Sequence, residues 1–151
     1  MKKNYDVVIV GAGASGVFMA YEFVNMGKDI KVCMIDSGKP IAKRICPIDG
    51  KKIKSCIGCK PCSIMHGFGG AGGLSDGKYN ITNNFGGDLY KHTGFKEAIE
   101  LMEYVDSVNL KMGGGDAKLY TTVSSGVKAD ALKYDLHLLD AKVRHLGTDR
   151  N

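Results

Sequence analysis

Three glycines, Gly11, Gly13 and Gly16, interrupt the chain just after the apolar run Tyr5-Asp-Val-Val-Ile-Val10. No other feature restricts the fold as much. A short apolar run closed by glycine reads as a buried parallel strand. Beyond the glycines, Val17, Met19, Ala20, Phe23, Val24 and Met26 supply the apolar positions of a helical pattern, which Gly27 ends. Ile30-Lys-Val-Cys-Met-Ile35 then reads as a second strand, closed by Asp36. Residues 5–36 therefore predict one strand–helix–strand unit, of the usual size of ~30 residues.

In that setting G-x-G-x-x-G points to dinucleotide binding. Gly11 permits a tight turn, Gly13 lets a diphosphate approach the backbone, and Gly16 allows helix and strand to pack closely. Free N–H groups at the helix start, reinforced by the helix dipole, favour phosphate. Asp36, twenty residues past Gly16, can accept hydrogen bonds from ribose hydroxyls and would repel a 2′-phosphate. FAD or NAD is thus preferred over NADP at this site. Gly11, Gly13, Ala14, Ser15, Gly16, Asp36 and Ser37 are the expected contacts of the ADP half.

Residues 37–92 have a different character. They hold all three prolines and four of the five cysteines, without clear periodicity. Between Lys39 and Lys60 stand seven Lys or Arg residues against Asp49 alone, a local +6 in a chain whose net charge is +5. Such a patch suits phosphates or clustered thiolates; with no aromatic interleaving, no nucleic-acid partner is expected. Cys46, Cys56, Cys59 and Cys62 permit three readings. They could ligate a metal: C-x2-C-x2-C is similar to the iron–sulfur run of bacterial ferredoxins, and four thiolates also suit zinc. They could form a redox dithiol, or be reduced cysteines packed as small hydrophobes. Cys33, inside a strand, reads as core. The glycines of residues 67–77 deny that stretch regular structure and let its backbone N–H groups converge on an anion or a flat ring.

Further on, Phe95, Ile99, Met102, Val105, Val108 and Met112 predict a helix from about Phe95 to Met112, stopped by Gly113-Gly-Gly115. A short helix near Ser125–Tyr134, capped by Ser124 or Ser125, and a strand at Leu136–Val143 complete the pattern. The start of the chain matches a secretory signal only superficially, because Asp6 interrupts it. No apolar run reaches 18 residues, so no membrane span is expected. Reduced thiols and a cytoplasmic location are the corresponding expectation.

The start DVVIVGAGASG with Asp36 resembles the FAD-binding domain of the two-dinucleotide-binding-domain flavoproteins. The stretch Gly67-Phe-Gly-Gly-Ala-Gly-Gly-Leu-Ser-Asp-Gly-Lys78, then Phe85-Gly-Gly-Asp-Leu89 and Arg144-His-Leu-Gly-Thr-Asp-Arg150, is similar to a narrower group, the FAD-dependent (NAD-utilising dehydrogenase-like) proteins of bacteria and archaea. The resemblance implies an α/β, Rossmann-like FAD/NAD(P)-binding domain with a parallel sheet, here an incomplete N-terminal part of a longer protein. Within residues 1–151 it would comprise the unit 5–36, a Cys/Gly-rich insertion 37–92, and a helical segment with a return strand over 93–151. It implies bound FAD, possible use of NAD(P), and hydride transfer between a small-molecule substrate or NAD(P)H and flavin. Carried over, Gly69, Gly70, Ala71 and Gly72 would lie along the cofactor's diphosphate and ring, with Ser75, Asp76 and Lys78 beside the flavin. His66 and His92 would be proton donors, and Arg144, His145 and Arg150 would bind an anionic group. The alternatives are an NAD-binding dehydrogenase domain and a non-catalytic, metal-stapled nucleotide-binding module.

Overall fold

The computed structural model describes residues 4–123 and 126–147. The chain is mixed α/β and divides into two compact units, one ending at Ser75 and the other starting at Asp76. The boundary falls inside the Cys/Gly-rich stretch 37–92.

The first unit opens with β1 (Val7–Val10), α1 (Ala14–Asn25) and β2 (Val32–Ile35). β1 and β2 are parallel and in register from Val7 opposite Val32 to Val10 opposite Ile35. Parallel neighbours need a crossover, which α1 supplies. α1 ends where expected: Met26 caps it through its N–H to Glu22 O, and Gly27 follows in the left-handed region at φ +64°. The apolar positions that predict the helix are not a sealed core. Ile9 and Ala12 are buried, while Val10, Val17, Met19 and Val24 are exposed. Cys33 lies half-buried on β2 rather than in a core. The reason is width: among the described residues this sheet has two strands, so it covers little of the helix.

The second unit contains β3 (Lys78–Ile81), α2 (Leu89–Thr93), α3 (Phe95–Asn109), β4 (Leu119–Thr121), α4 (Gly126–Leu132) and β5 (Lys142–His145). α3 matches the periodicity of Phe95 to Met112, with a five-residue π turn at Leu110–Gly114 and Gly113 at φ +134°. The last strand departs from expectation. It begins at Lys142, not Leu136, and it does not return to the parallel sheet. It is the centre of an antiparallel sheet of order β3-β5-β4. The alternation Lys142-Val-Arg-His145 puts Arg144 inside, whereas Leu136 and Leu139, which suggest an earlier strand, are exposed. The expected caps Ser124 and Ser125 lie outside the described residues.

Ile81, Ala98, Val108 and Leu146 form the buried apolar centre of this unit. Polar ties surround it. Tyr79 Oη donates to Met102 O at 2.9 Å, and Thr82 Oγ1 donates to Asp140 O at 2.9 Å. Burial, with the nearby Asp106 carboxylate, pushes the Tyr79 phenol up to about 12. A folded-state value above the unfolded one gives stability that is complete below the unfolded value near 10 and lost as pH rises towards 12. Urea midpoints of the wild type should fall more steeply than those of Tyr79→Phe between those pH values. Parallel curves for the two proteins would remove this role for Tyr79.

Candidate functional site

The two parallel strands end in the glycine turn. Gly11 N–H donates to Ile35 O at 2.8 Å, and Gly11 sits at φ +99°, open to glycine but strained for other residues. The first intrahelical bond of α1 is Val17 N–H to Gly13 O at 2.9 Å. The N–H groups of Ala14, Ser15 and Gly16 therefore precede the helical ladder, and no side chain caps this end. A Cβ on Gly16 would lie 2.0 Å from Gly11 O, so Gly16 provides the close helix–strand contact. A Cβ on Gly13 would meet nothing within 4 Å, leaving open space above that backbone.

Asp36 is more than a waiting acceptor. Its Oδ2 accepts from Ala12 N–H and its Oδ1 from Gly38 N–H, each at 2.8 Å. It thus ties the glycine turn to the loop after β2. These two amides, with a smaller contribution from Gly67 N–H and the nearby His66, hold its carboxyl below the usual carboxylate value. A carboxylate has about four lone-pair sites, so capacity for a ribose hydroxyl remains. Beside it, Ser37 Oγ and His66 Nδ1 are 3.2 Å apart. Val10, Gly11, Ile35, Asp36, Ser37 and His66 line an open groove of ≈ 460 Å³, and a second groove of ≈ 460 Å³ runs past Gly13, Ala14, Ser15 and Gly16.

The second glycine stretch packs onto the first. Gly69 N–H donates to Ala12 O at 2.9 Å, and a Cβ on Gly70 would come within 2.9 Å of Gly13 Cα. Gly69 and Gly70 have positive φ, at +86° and +58°. Ala71 and Gly72 follow on the surface, leading into a short 3-10 turn at Gly72–Leu74. The sequence motifs at 11–16, 36–38 and 67–70 are thus brought together within the first unit.

Other expected positions lie outside these three segments. Asp76 and Lys78 belong to the second unit, where they pair with each other at 2.8 Å. His92 is on α2 of that unit. Arg144 does not offer its charge to an external anion: it is buried and forms a two-pronged pair with Asp106, with a further bond to Ala117 O. Arg150 lies outside the described residues. Cys56 is exposed, and Cys46, Cys59 and Cys62 are half-buried free thiols. Gly58 N–H donates to Cys56 Sγ at 3.4 Å. Among the described residues, no group of three or more His, Cys, Asp or Glu side chains is arranged to hold a metal ion.

Sequence reasoning missed two parts of the site. Gly38 is required by space, since its Cβ would lie 2.4 Å from Gly67 N. Arg44, counted only as one charge of a basic run, is buried beneath the second glycine stretch. Among the described residues, no helix is long and apolar enough to cross a membrane. Comparison of the chain with protein-family models, with curated proteins and with solved structures returns no match in any of the three.

Proposed function

We propose that the first unit is the opening part of a Rossmann-like dinucleotide-binding domain, that it holds the ADP half of FAD, and that the chain serves a flavin-dependent dehydrogenase acting on a small molecule or NAD(P)H. The observation that carries this reading is that the glycine turn is tied on one side to the Asp36 carboxylate and on the other to the second glycine stretch. Asp36 accepts from Ala12 and Gly38, and Gly69 donates to Ala12, so the glycine turn, the acid loop and the second glycine stretch share one centre. The open N–H groups of Ala14, Ser15 and Gly16 suit a diphosphate. The space above Gly13 admits it without a side chain in the way. Asp36 would orient the ribose through its remaining lone pairs, and its charge would repel a 2′-phosphate. FAD, when bound, would supply the two-electron chemistry, while the chain binds and orients it.

The test is direct titration of the purified chain with FAD, followed by flavin fluorescence and by co-elution of yellow colour on gel filtration. The wild type should bind FAD, and Asp36→Asn should weaken binding by about tenfold or more, as expected for loss of one charge-assisted contact. The asparagine amide would also present a donor to one of the two backbone N–H groups that Asp36 now satisfies. Because the Asp36 carboxyl is held below its usual value, its contribution is present above that value and fades as pH falls through the lowered one. The wild-type affinity advantage over Asp36→Asn should therefore persist at pH 5. A colourless chain that binds NAD with the same Asp36 dependence would replace the flavin reading; one that binds neither would end it.

A further inference from the structure

Arg44 is 5% exposed, yet every partner of its guanidinium is neutral. Nε donates to Ser63 O at 2.8 Å, Nη1 to Phe68 O at 2.8 Å, and Nη2 to Ile64 O. Among the described residues, no carboxylate pairs with it. The planar fork of arginine matches three converging carbonyls in a way that lysine cannot. Gly67 makes room for it: a Cβ there would lie 2.9 Å from Arg44 Cδ.

The strap so gathered, residues 63–68, leads directly into Gly69 and Gly70. Those two residues contact Ala12 and Gly13 of the glycine turn. Phe68 N–H also donates to Lys39 O at 3.2 Å, anchoring the same strap to the loop after β2. Arg44 therefore sets where the second glycine stretch meets the first. It also leaves a buried positive charge that carbonyl dipoles compensate only in part. An anion bound in the cradle would complete that compensation.

Building on the dinucleotide reading, we propose that Arg44 is the positioning residue of the cradle: it seats the strap 63–70 on the glycine turn, and its charge, matched by carbonyl dipoles but by no carboxylate, tunes the cradle to a diphosphate rather than to a monophosphate or an uncharged nucleoside. The role is exerted through the backbone it gathers and through its field, with no catalytic contact implied.

The experiment uses the full chain as wild type, Arg44→Lys and Arg44→Met. Amide hydrogen exchange is followed for 63–74 and for α1, and affinities are measured for adenosine, AMP and ADP. In both variants the amides of Phe68, Gly69 and Gly70 should exchange about tenfold faster or more, while α1 keeps its protection. In Arg44→Met the ADP affinity should fall about 10- to 100-fold, AMP less, and adenosine little. Arg44→Lys, which keeps the charge but not the fork, should recover part of the ADP preference without restoring strap protection. Unchanged strap exchange overturns the positioning role, and equal losses for all three ligands overturn the charge role. If Arg44→Met loses α1 protection as well, Arg44→Lys alone decides by the same two readouts. A wild type that binds none of the three ligands defeats the dinucleotide reading and the charge role with it, while strap exchange still decides what Arg44 holds in place.

Discussion

Gly16→Ala is expected to destabilise the first unit and, on the dinucleotide reading proposed above, to disable its cradle. Helix propensity alone gives the opposite sign, since alanine inside a helix is favoured over glycine by about 1 kcal/mol. Space decides against it. The added Cβ would sit 2.0 Å from Gly11 O, 3.1 Å from Gly11 C and 3.3 Å from Ile9 Cγ2. Two of these are backbone atoms of a turn whose own N–H is committed to Ile35 O. The turn cannot yield without breaking that bond or driving α1 away from β1. Overpacking of this kind costs on the order of 3 kcal/mol, which outweighs the propensity gain. Net destabilisation of about 2 kcal/mol, with a loss of FAD affinity of about 100-fold, is expected. Gly13→Ala separates the two effects. Its Cβ meets nothing within 4 Å, so urea stability should change by no more than about 1 kcal/mol while FAD affinity falls sharply. Urea denaturation by circular dichroism and FAD titration measure both. A Gly16→Ala protein that folds and binds like the wild type would refute the close-packing role of Gly16.

The contrast between those two glycines marks how much of the site is legible in the sequence. The strand–turn–helix–strand order of residues 5–36 follows from local patterns: apolar runs, glycine spacing and an acid at the strand end. The structure repeats it with β1, α1 and β2. Resemblance alone suggests 69–72 as cofactor contacts; that Gly69 and Gly70 pack on Ala12 and Gly13 of the glycine turn is not legible in the sequence. Two kinds of information are not local. The first is which backbone atoms a polar side chain will find. Asp36 is legible as an acceptor, but not its tie to Ala12 and Gly38; Arg44 is legible as a charge, but not the three carbonyls around it. The second is which sheet a strand joins. β3, β4 and β5 are only three or four residues long, too short to announce themselves, and β5 is defined by cross-strand pairs with Lys78–Ile81 and Leu119–Thr121 far away in sequence. Arg144 shows the cost of reading a charge without its address: resemblance suggests an anion ligand, and the fold matches it to Asp106 instead.

Asp106→Asn is expected to be the most damaging single change in the second unit. Asp106 lies on α3 and Arg144 on the central strand β5, so their contact fastens helix to sheet. The geometry is two-pronged: Nε to Oδ1 at 2.7 Å and Nη2 to Oδ2 at 2.8 Å, with both side chains only 10% exposed. The Asp106 carboxylate keeps the Arg144 guanidinium proton more tightly held than usual. Such a pair is not by itself a large net source of stability, because desolvation offsets much of the attraction. Removing one partner is different, since the other is left buried with its charge unmatched. That costs about 3–5 kcal/mol, a large part of the roughly 5–15 kcal/mol typical of a whole domain. Asp106→Asn and Arg144→Met should each lower the urea midpoint severely. The double variant Asp106→Leu/Arg144→Met removes both charges and should recover most of the loss, since apolar replacement of a buried pair is often neutral. With Asp106→Leu added as the matching single variant, the unfolding free energies of Asp106→Leu, Arg144→Met and their double give the coupling by a double-mutant cycle. Single variants that each cost less than about 1 kcal/mol would place the pair with ordinary surface bridges and leave the attachment of α3 to the apolar contacts of Ala98 and Val108.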